Sequence, residues 1–289
     1  MARNGSVDIA YERFGADDGE PMLLVMGLGM QMIFWPDDFC AALAARGFAV
    51  ARFDNRDVGR SSHFTHLGVP RLGRMLSRPL AAAPYRLDDM ADDGVAVLDA
   101  LGWTSAHVVG VSLGGMIAQT IAIRHPGRVR SLASMMSTPS ARIGRPRLDA
   151  LAVLASRPAS SQDHAERRAV RVFRVIGTRR YPRDETWLRE TARKAYDRGQ
   201  DPLGARRQLA AILASGDRRP GLAHVRVPTL VVHGDADPLV RLAGGRATAA
   251  SVPGARLVIF PGMGHDLPRP LWPAIIDHIH ANTRLAQTG

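Results

Sequence analysis

The sequence is poor in cysteine, lysine and long apolar runs, and each shortage excludes something. Cys40 is the only cysteine in 289 residues, so neither an intrachain disulfide nor a Cys-based zinc finger can form. So little thiol suits a reducing compartment. No run approaches the roughly 18 apolar residues of a membrane span, and the opening Met-Ala-Arg-Asn-Gly-Ser-Val-Asp lacks the apolar stretch of a secretory signal. The expectation is a cytoplasmic protein without a transmembrane segment. Lys194 is the only lysine among 38 basic residues, and aromatic residues make up only 6% of the chain. No RNA-binding aromatic motif, zinc-finger spacing or lysine-rich arm is visible, so no nucleic-acid partner is expected despite a formal charge of +11.

What is present reads as a folded enzyme-sized chain. Hydrophobic residues account for 46% and charged ones for 22%, which leaves no room for disorder, collagen-like repeats or coiled coil as the main organisation. Short apolar runs at Met22 to Met26, Phe48 to Phe53 and His107 to Val111 are bounded by Gly, Pro, Asp or Asn, as buried strands are. Between and after them, Asp37 to Arg46, Arg86 to Leu101 and Leu113 to Arg124 have helical spacing. Alternation of this kind predicts a mostly parallel sheet with helices on both faces. The rhythm breaks over residues 141–219, where four helical stretches follow one another, near Pro146 to Ala155, Gln162 to Ile176, Asp184 to Arg198 and Pro202 to Ser215. It resumes with strand Thr229 to His233, helix Val240 to Ala250, strand Arg256 to Phe260 and a last helix from Pro270 to about Ala281. The expected organisation is therefore an α/β core in two parts, residues 1–140 and 220–289, with an inserted helical cap at 141–219.

Most of the net charge falls on that insertion, which holds 19 basic and nine acidic residues. Two readings stand side by side. Arg167, Arg171 and Arg174 recur at helical spacing opposite Ala169, Val172, Phe173 and Ile176, the pattern of a helix with a solvated basic face. Alternatively, arginines elsewhere in the insertion turn inward and gather anionic substrates.

The chemistry centres on Gly110-Val111-Ser112-Leu113-Gly114, a G-x-S-x-G pattern placed after a strand and before a helix. Five residues of this kind arise often by chance; the strand-turn-helix context is what gives them meaning. A serine hydroxyl is a poor nucleophile unless a base takes its proton and a carboxylate orients that base. His265, just past the strand Arg256 to Phe260, supplies a base, and either Asp235 or Asp237, just past Thr229 to His233, supplies a carboxylate. All lie at the carboxyl edge of the expected sheet, where α/β folds bind ligands. His63 and His66 follow Asp57-Val58-Gly59-Arg60-Ser61 and could line a pocket, whereas His107, His278 and His280 have packing or surface positions.

The core resembles the α/β-hydrolases, in particular the family of aclacinomycin methylesterase. The matching stretches are Leu23-Leu24-Val25-Met26-Gly27, Trp35-Pro36-Asp37-Asp38-Phe39, Asp54 to Ser61, the turn around Ser112, and Pro261-Gly262-Met263-Gly264-His265. The resemblance implies a Ser112, His265 and Asp237 triad, since the family's acid directly precedes a proline. It also implies an oxyanion hole made by the backbone N–H groups of Leu28 and Leu113. Met26-Gly27 stands where many hydrolases have His-Gly, a departure that main-chain donation tolerates. The insertion matches poorly, so ester specificity does not carry over. The expected activity is cleavage of a small-molecule carboxylic ester through an acyl-enzyme, with no cofactor and no metal. Thioester hydrolysis and peracid formation share the triad and remain open, as does, from another class, a non-catalytic receptor on the same fold.

Overall fold

The centre of the molecule is built from strands whose alternate residues serve two separate cores. The computed structural model describes residues 1–156, 158–199, 201 and 203–287. β1 (Ala2–Asn4) and β2 (Val7–Ile9) pair as a small antiparallel ribbon. β3 (Tyr11–Phe14), β4 (Glu20–Val25), β5 (Phe48–Phe53), β6 (Ala106–Val111), β7 (Val129–Met135), β8 (Thr229–Gly234) and β9 (Arg256–Phe260) form a seven-stranded sheet. Its order is β3-β5-β4-β6-β7-β8-β9, with β3 antiparallel to β5 and every other pair parallel.

The helices are α1 (Asp37–Ala44), α2 (Leu72–Ser77), α3 (Pro79–Ala82), α4 (Leu87–Ala100), α5 (Leu113–Arg124), α6 (Leu148–Leu154), α7 (Gln162–Ile176), α8 (Glu185–Arg198), α9 (Gly204–Ala214), α10 (Arg219–Leu222), α11 (Ala243–Ser251) and α12 (Trp272–Arg284). Leu23, Val25, Ala51, Phe53 and Val108 point to one face, where α4 and α5 cover them. Met22, Leu24, Val50, Val109 and Val111 point to the other, against α1 and α12. Both faces are closed over the central strands, so β4 and β6 read as largely continuous apolar runs. α6 to α9 follow β7 and precede β8, and α6 and α7 share an apolar cluster of their own from Ala150, Val153, Val172 and Ile176. Local chemistry starts two of these helices: Ser161 Oγ accepts from His164 N at 3.2 Å, and Asp184 Oδ1 from Trp187 N at 2.9 Å. The expected start of α9 at Pro202 lies outside the described residues.

Several elements depart from the sequence reading. β7 was not expected, because Arg130, Ser131 and Ser134 interrupt its apolar pattern. The two serines are nevertheless buried and satisfied, Ser131 by His107 Nδ1 at 2.8 Å and Ser134 by Gln119 Nε2 at 3.0 Å. β1 to β3, and the short helices α2, α3 and α10, were likewise not expected; each holds four residues or fewer except α2, which has six. The helix expected from Val240 begins at Ala243, since Asp237 Oδ1 takes the N–H groups of Leu239 and Val240 at 2.8 and 2.9 Å and folds that stretch into a turn.

Candidate active site

β6 delivers the chain to a sharp reversal at Ser112, whose φ of 55° and ψ of −118° are dihedrals that L side chains rarely adopt. Its N–H donates to Met135 O at 2.9 Å, and its carbonyl accepts from Ser137 Oγ at 2.8 Å and Met116 N at 3.2 Å. The turn is thus held from β7 on one side and by the first turn of α5 on the other. A Cβ on Gly110 would collide with the Gly114 carbonyl, and one on Gly114 with the Val25 carbonyl. Both glycines of the motif are required because backbone already fills that space. Ser112 itself is half-buried at the head of α5, where free helix N–H groups favour negative charge.

Asp237 and His265 arrive from neighbouring strand ends, after β8 and β9. Asp237 is buried; while its Oδ1 is held by the two N–H groups of its own turn, its Oδ2 accepts from His265 Nδ1 at 2.7 Å. A ring whose Nδ1–H is committed to a carboxylate presents Nε2 as a lone pair, the form a general base needs. Asp235 takes a different post: it is exposed, and its Oδ1 accepts from Gly262 N at 2.6 Å. Among the described residues the Ser112 hydroxyl has no hydrogen bond, so direct contact joins two of the three expected residues.

Three residues not anticipated from sequence surround this pair. Thr178, just past α7, threads the loop that carries His265: its Oγ1 accepts from Gly264 N at 2.8 Å and donates to Asp266, and its N–H donates to Asp266 Oδ1 at 2.8 Å. His265 N–H in turn donates to Ile176 O at 2.7 Å. Burial pushes the Asp266 carboxyl upward against the opposing effect of the Thr178 bonds. His233, fully buried in β8, donates from Nε2 to Val240 O at 2.7 Å and lies 3.6 Å from Asp237 Oδ2; burial holds it below the usual imidazole range. The adjacency of Asp266 to His265 is the one sequence signal that could have suggested this clasp.

The N–H groups of Leu28 and Leu113 have no partner among the described residues. Gly27 packs on the serine, since a Cβ there would stand 3.4 Å from Ser112 Cβ. The following turn is fixed by Gly29 N–H donating to Gln208 Oε1 of α9 at 2.8 Å.

Asp54 and Asp57 join the core to the helices beyond β7, and Arg56 ties the same loop to α4. Asp54 accepts from Met32 N at 2.7 Å and from Arg198 at 2.8 Å, Arg56 makes a two-pronged pair with Asp93 at 2.6 and 2.8 Å, and Asp57 accepts two bonds from Arg207 at 2.9 and 2.8 Å. Of the inward arginines in residues 141–219, Arg198 and Arg207 meet carboxylates, Arg218 meets Gln119 and Thr138 O, and the half-buried Arg168 reaches Leu154 O at 3.5 Å. Arg167, Arg171 and Arg174 are exposed, so this basic stripe faces solvent. Asp57, His63 and Asp201 have the spacing of metal ligands, yet the Arg207 guanidinium pairs with both carboxylates and supplies the positive charge there. His63 contacts Gly59 O at 3.0 Å and His66 is exposed. His107 bonds Ser131 and Glu20, and His278 and His280 make ring contacts with Phe260 and Phe48.

Comparison with known proteins shows what the chain as a whole is similar to. A family model described as alpha/beta hydrolase fold matches residues 20–268. The chain is 31% identical to rhodomycin D methylesterase DauP of Streptomyces sp. (strain C5), over 98% of each chain. It is 30% identical to rhodomycin D methylesterase DnrP of Streptomyces peucetius, again over 98% of both. Among solved structures, the enol-lactonase of Burkholderia xenovorans LB400 superposes with a TM-score of 0.71 at 23% identity, covering 99% of this chain and 98% of that one, a likeness of fold.

Proposed function

The chain belongs to the α/β hydrolase fold family and is a hydrolytic enzyme, and from that premise we propose that it cleaves a carboxylic ester by a serine acyl-enzyme mechanism. Ser112 attacks the ester carbonyl, His265 takes the serine proton and returns it to the leaving alcohol, and Asp237 orients the imidazole and stabilises its charged form. The Leu28 and Leu113 N–H groups receive the developing oxyanion. Water, activated by the same histidine, then releases the acid. The observation that carries this reading is the 2.7 Å bond from His265 Nδ1 to Asp237, formed at the sheet edge where a strained serine heads a helix. Bonds from nucleophile to base are often long without substrate and tighten around it, which fits a Ser112 hydroxyl that is unpartnered here.

In this reading residues 1–140 and 220–289 are the catalytic core, and 141–219 are a cap that shapes the substrate space. The curated relatives are named as methylesterases, so methyl esters are the first substrates to test. Catalysis uses no cofactor. A cytoplasmic setting suits Cys40, which is buried in the core with its thiol pushed up to about 12 by desolvation. Ser112→Ala is expected to abolish turnover of methyl and aryl esters in a folded protein, and a fluorophosphonate to add one adduct mass to the wild type and none to the variant. Retained activity in folded Ser112→Ala refutes the mechanism, and a thioester preferred in a side-by-side panel refutes the substrate class.

A further inference from the structure

Residues 67–80 carry a leucine ridge that no other described part of the chain covers. Leu67, Leu72, Leu76 and Leu80 are 50, 63, 68 and 60% exposed. Leu72 and Leu76 lie one turn apart on α2, Leu80 follows on α3 beyond the break at Arg78, and Met75 turns inward and is buried. Arg71, Arg74 and Arg78 flank the ridge; all three are exposed and make no ion pair among the described residues. Arg124, Arg174 and Arg219, by contrast, each meet a surface carboxylate. Between Asp57 and Asp88 the sequence contains no acidic residue at all, so nothing local offsets these arginines.

Protruding leucines beside unpaired arginines are the side chains that seat a short amphipathic segment at a lipid headgroup boundary. We propose that this ridge docks on an anionic phospholipid surface, its leucines entering the acyl boundary and Arg71, Arg74 and Arg78 lying among the phosphates. Charge argues against a second copy of the chain as occupant: a two-fold contact of ridge on ridge would set the same arginines against themselves, and residues 58–87 bring no carboxylate of their own. An anionic surface supplies the charge the ridge lacks. α2 and α3 pack on α9, which holds Gly29 through Gln208. The proposal is independent of the catalytic assignment.

Co-sedimentation of the full chain with vesicles tests it, comparing mixed phosphatidylcholine and phosphatidylglycerol with phosphatidylcholine alone. The wild type is expected to pellet with the mixed vesicles and to be released by salt. Partitioning should fall about fivefold for each of Arg71→Gln, Arg74→Gln and Arg78→Gln, and roughly tenfold or more for Leu76→Asp. Thermal midpoint and turnover of a water-soluble aryl ester should stay at wild-type values throughout, because these side chains support nothing beneath them. Three results overturn the proposal: no binding to the mixed vesicles, binding that neither the arginine nor the leucine variants weaken, or a dimer in ultracentrifugation that Leu76→Asp dissociates. The last would make the ridge an interface between copies.

Discussion

Thr178→Val tests whether the clasp behind His265 positions that residue. The substitution keeps shape and removes one hydroxyl, which serves two buried bonds at once: it accepts from Gly264 N and donates to the Asp266 carboxylate. Leaving a buried N–H unpartnered costs about 1–3 kcal/mol, and a lost bond to a charged group about 1.5–3 kcal/mol. Only the bond from the Thr178 backbone N–H to Asp266 survives. A loss of about 3 kcal/mol follows, worth roughly 6 °C in thermal midpoint for a domain of this size. Because Gly264 directly precedes His265, the released loop should also let the imidazole drift, and a misplacement of ~1 Å lowers kcat by up to about a hundredfold with KM little changed. Thr178→Ser retains the hydroxyl and should recover most of both losses. The assays are thermal unfolding and steady-state ester hydrolysis on the three proteins in parallel. A valine variant as stable and active as wild type, or a serine variant as damaged as the valine one, refutes the reasoning.

Further outcomes follow from the same geometry. Asp237→Asn should lower kcat by several orders of magnitude, since an amide no longer selects the Nδ1–H tautomer of His265. Asp235→Asn should change it little, because an amide oxygen still accepts from Gly262 N at that exposed turn; steady-state rates showing the reverse order would displace Asp237 from its role. His233 and His107 are both pushed down by burial, so below about pH 6.5 the unfolded chain binds more protons than the folded one and stability falls on acidification. Urea unfolding between pH 7.5 and 5 should show this slope, and His107→Gln should flatten it; an unchanged slope in the variant would mean other groups set the acid limb.

The sequence by itself determined the strands that carry apolar runs, the helix behind Ser112 and the order in which serine, aspartate and histidine candidates occur. These are local matters: periodicity and turn chemistry act within a few residues, and the glycines around Ser112 announce a turn too tight for side chains. Strands such as β7 stayed illegible because Ser131 and Ser134 are polar in the chain and become acceptable inside only when His107 and Gln119, distant in sequence, arrive to bond them. The same holds at the candidate site. Asp235 and Asp237 differ by two positions, and which one faces His265 depends on the turn that Leu239 and Val240 fold around a carboxylate. Thr178, Arg198 and Arg207 carry no motif; their work appears only where the helices beyond β7 meet the core, because buried hydrogen bonds and ion pairs exist between partners and not in either residue alone.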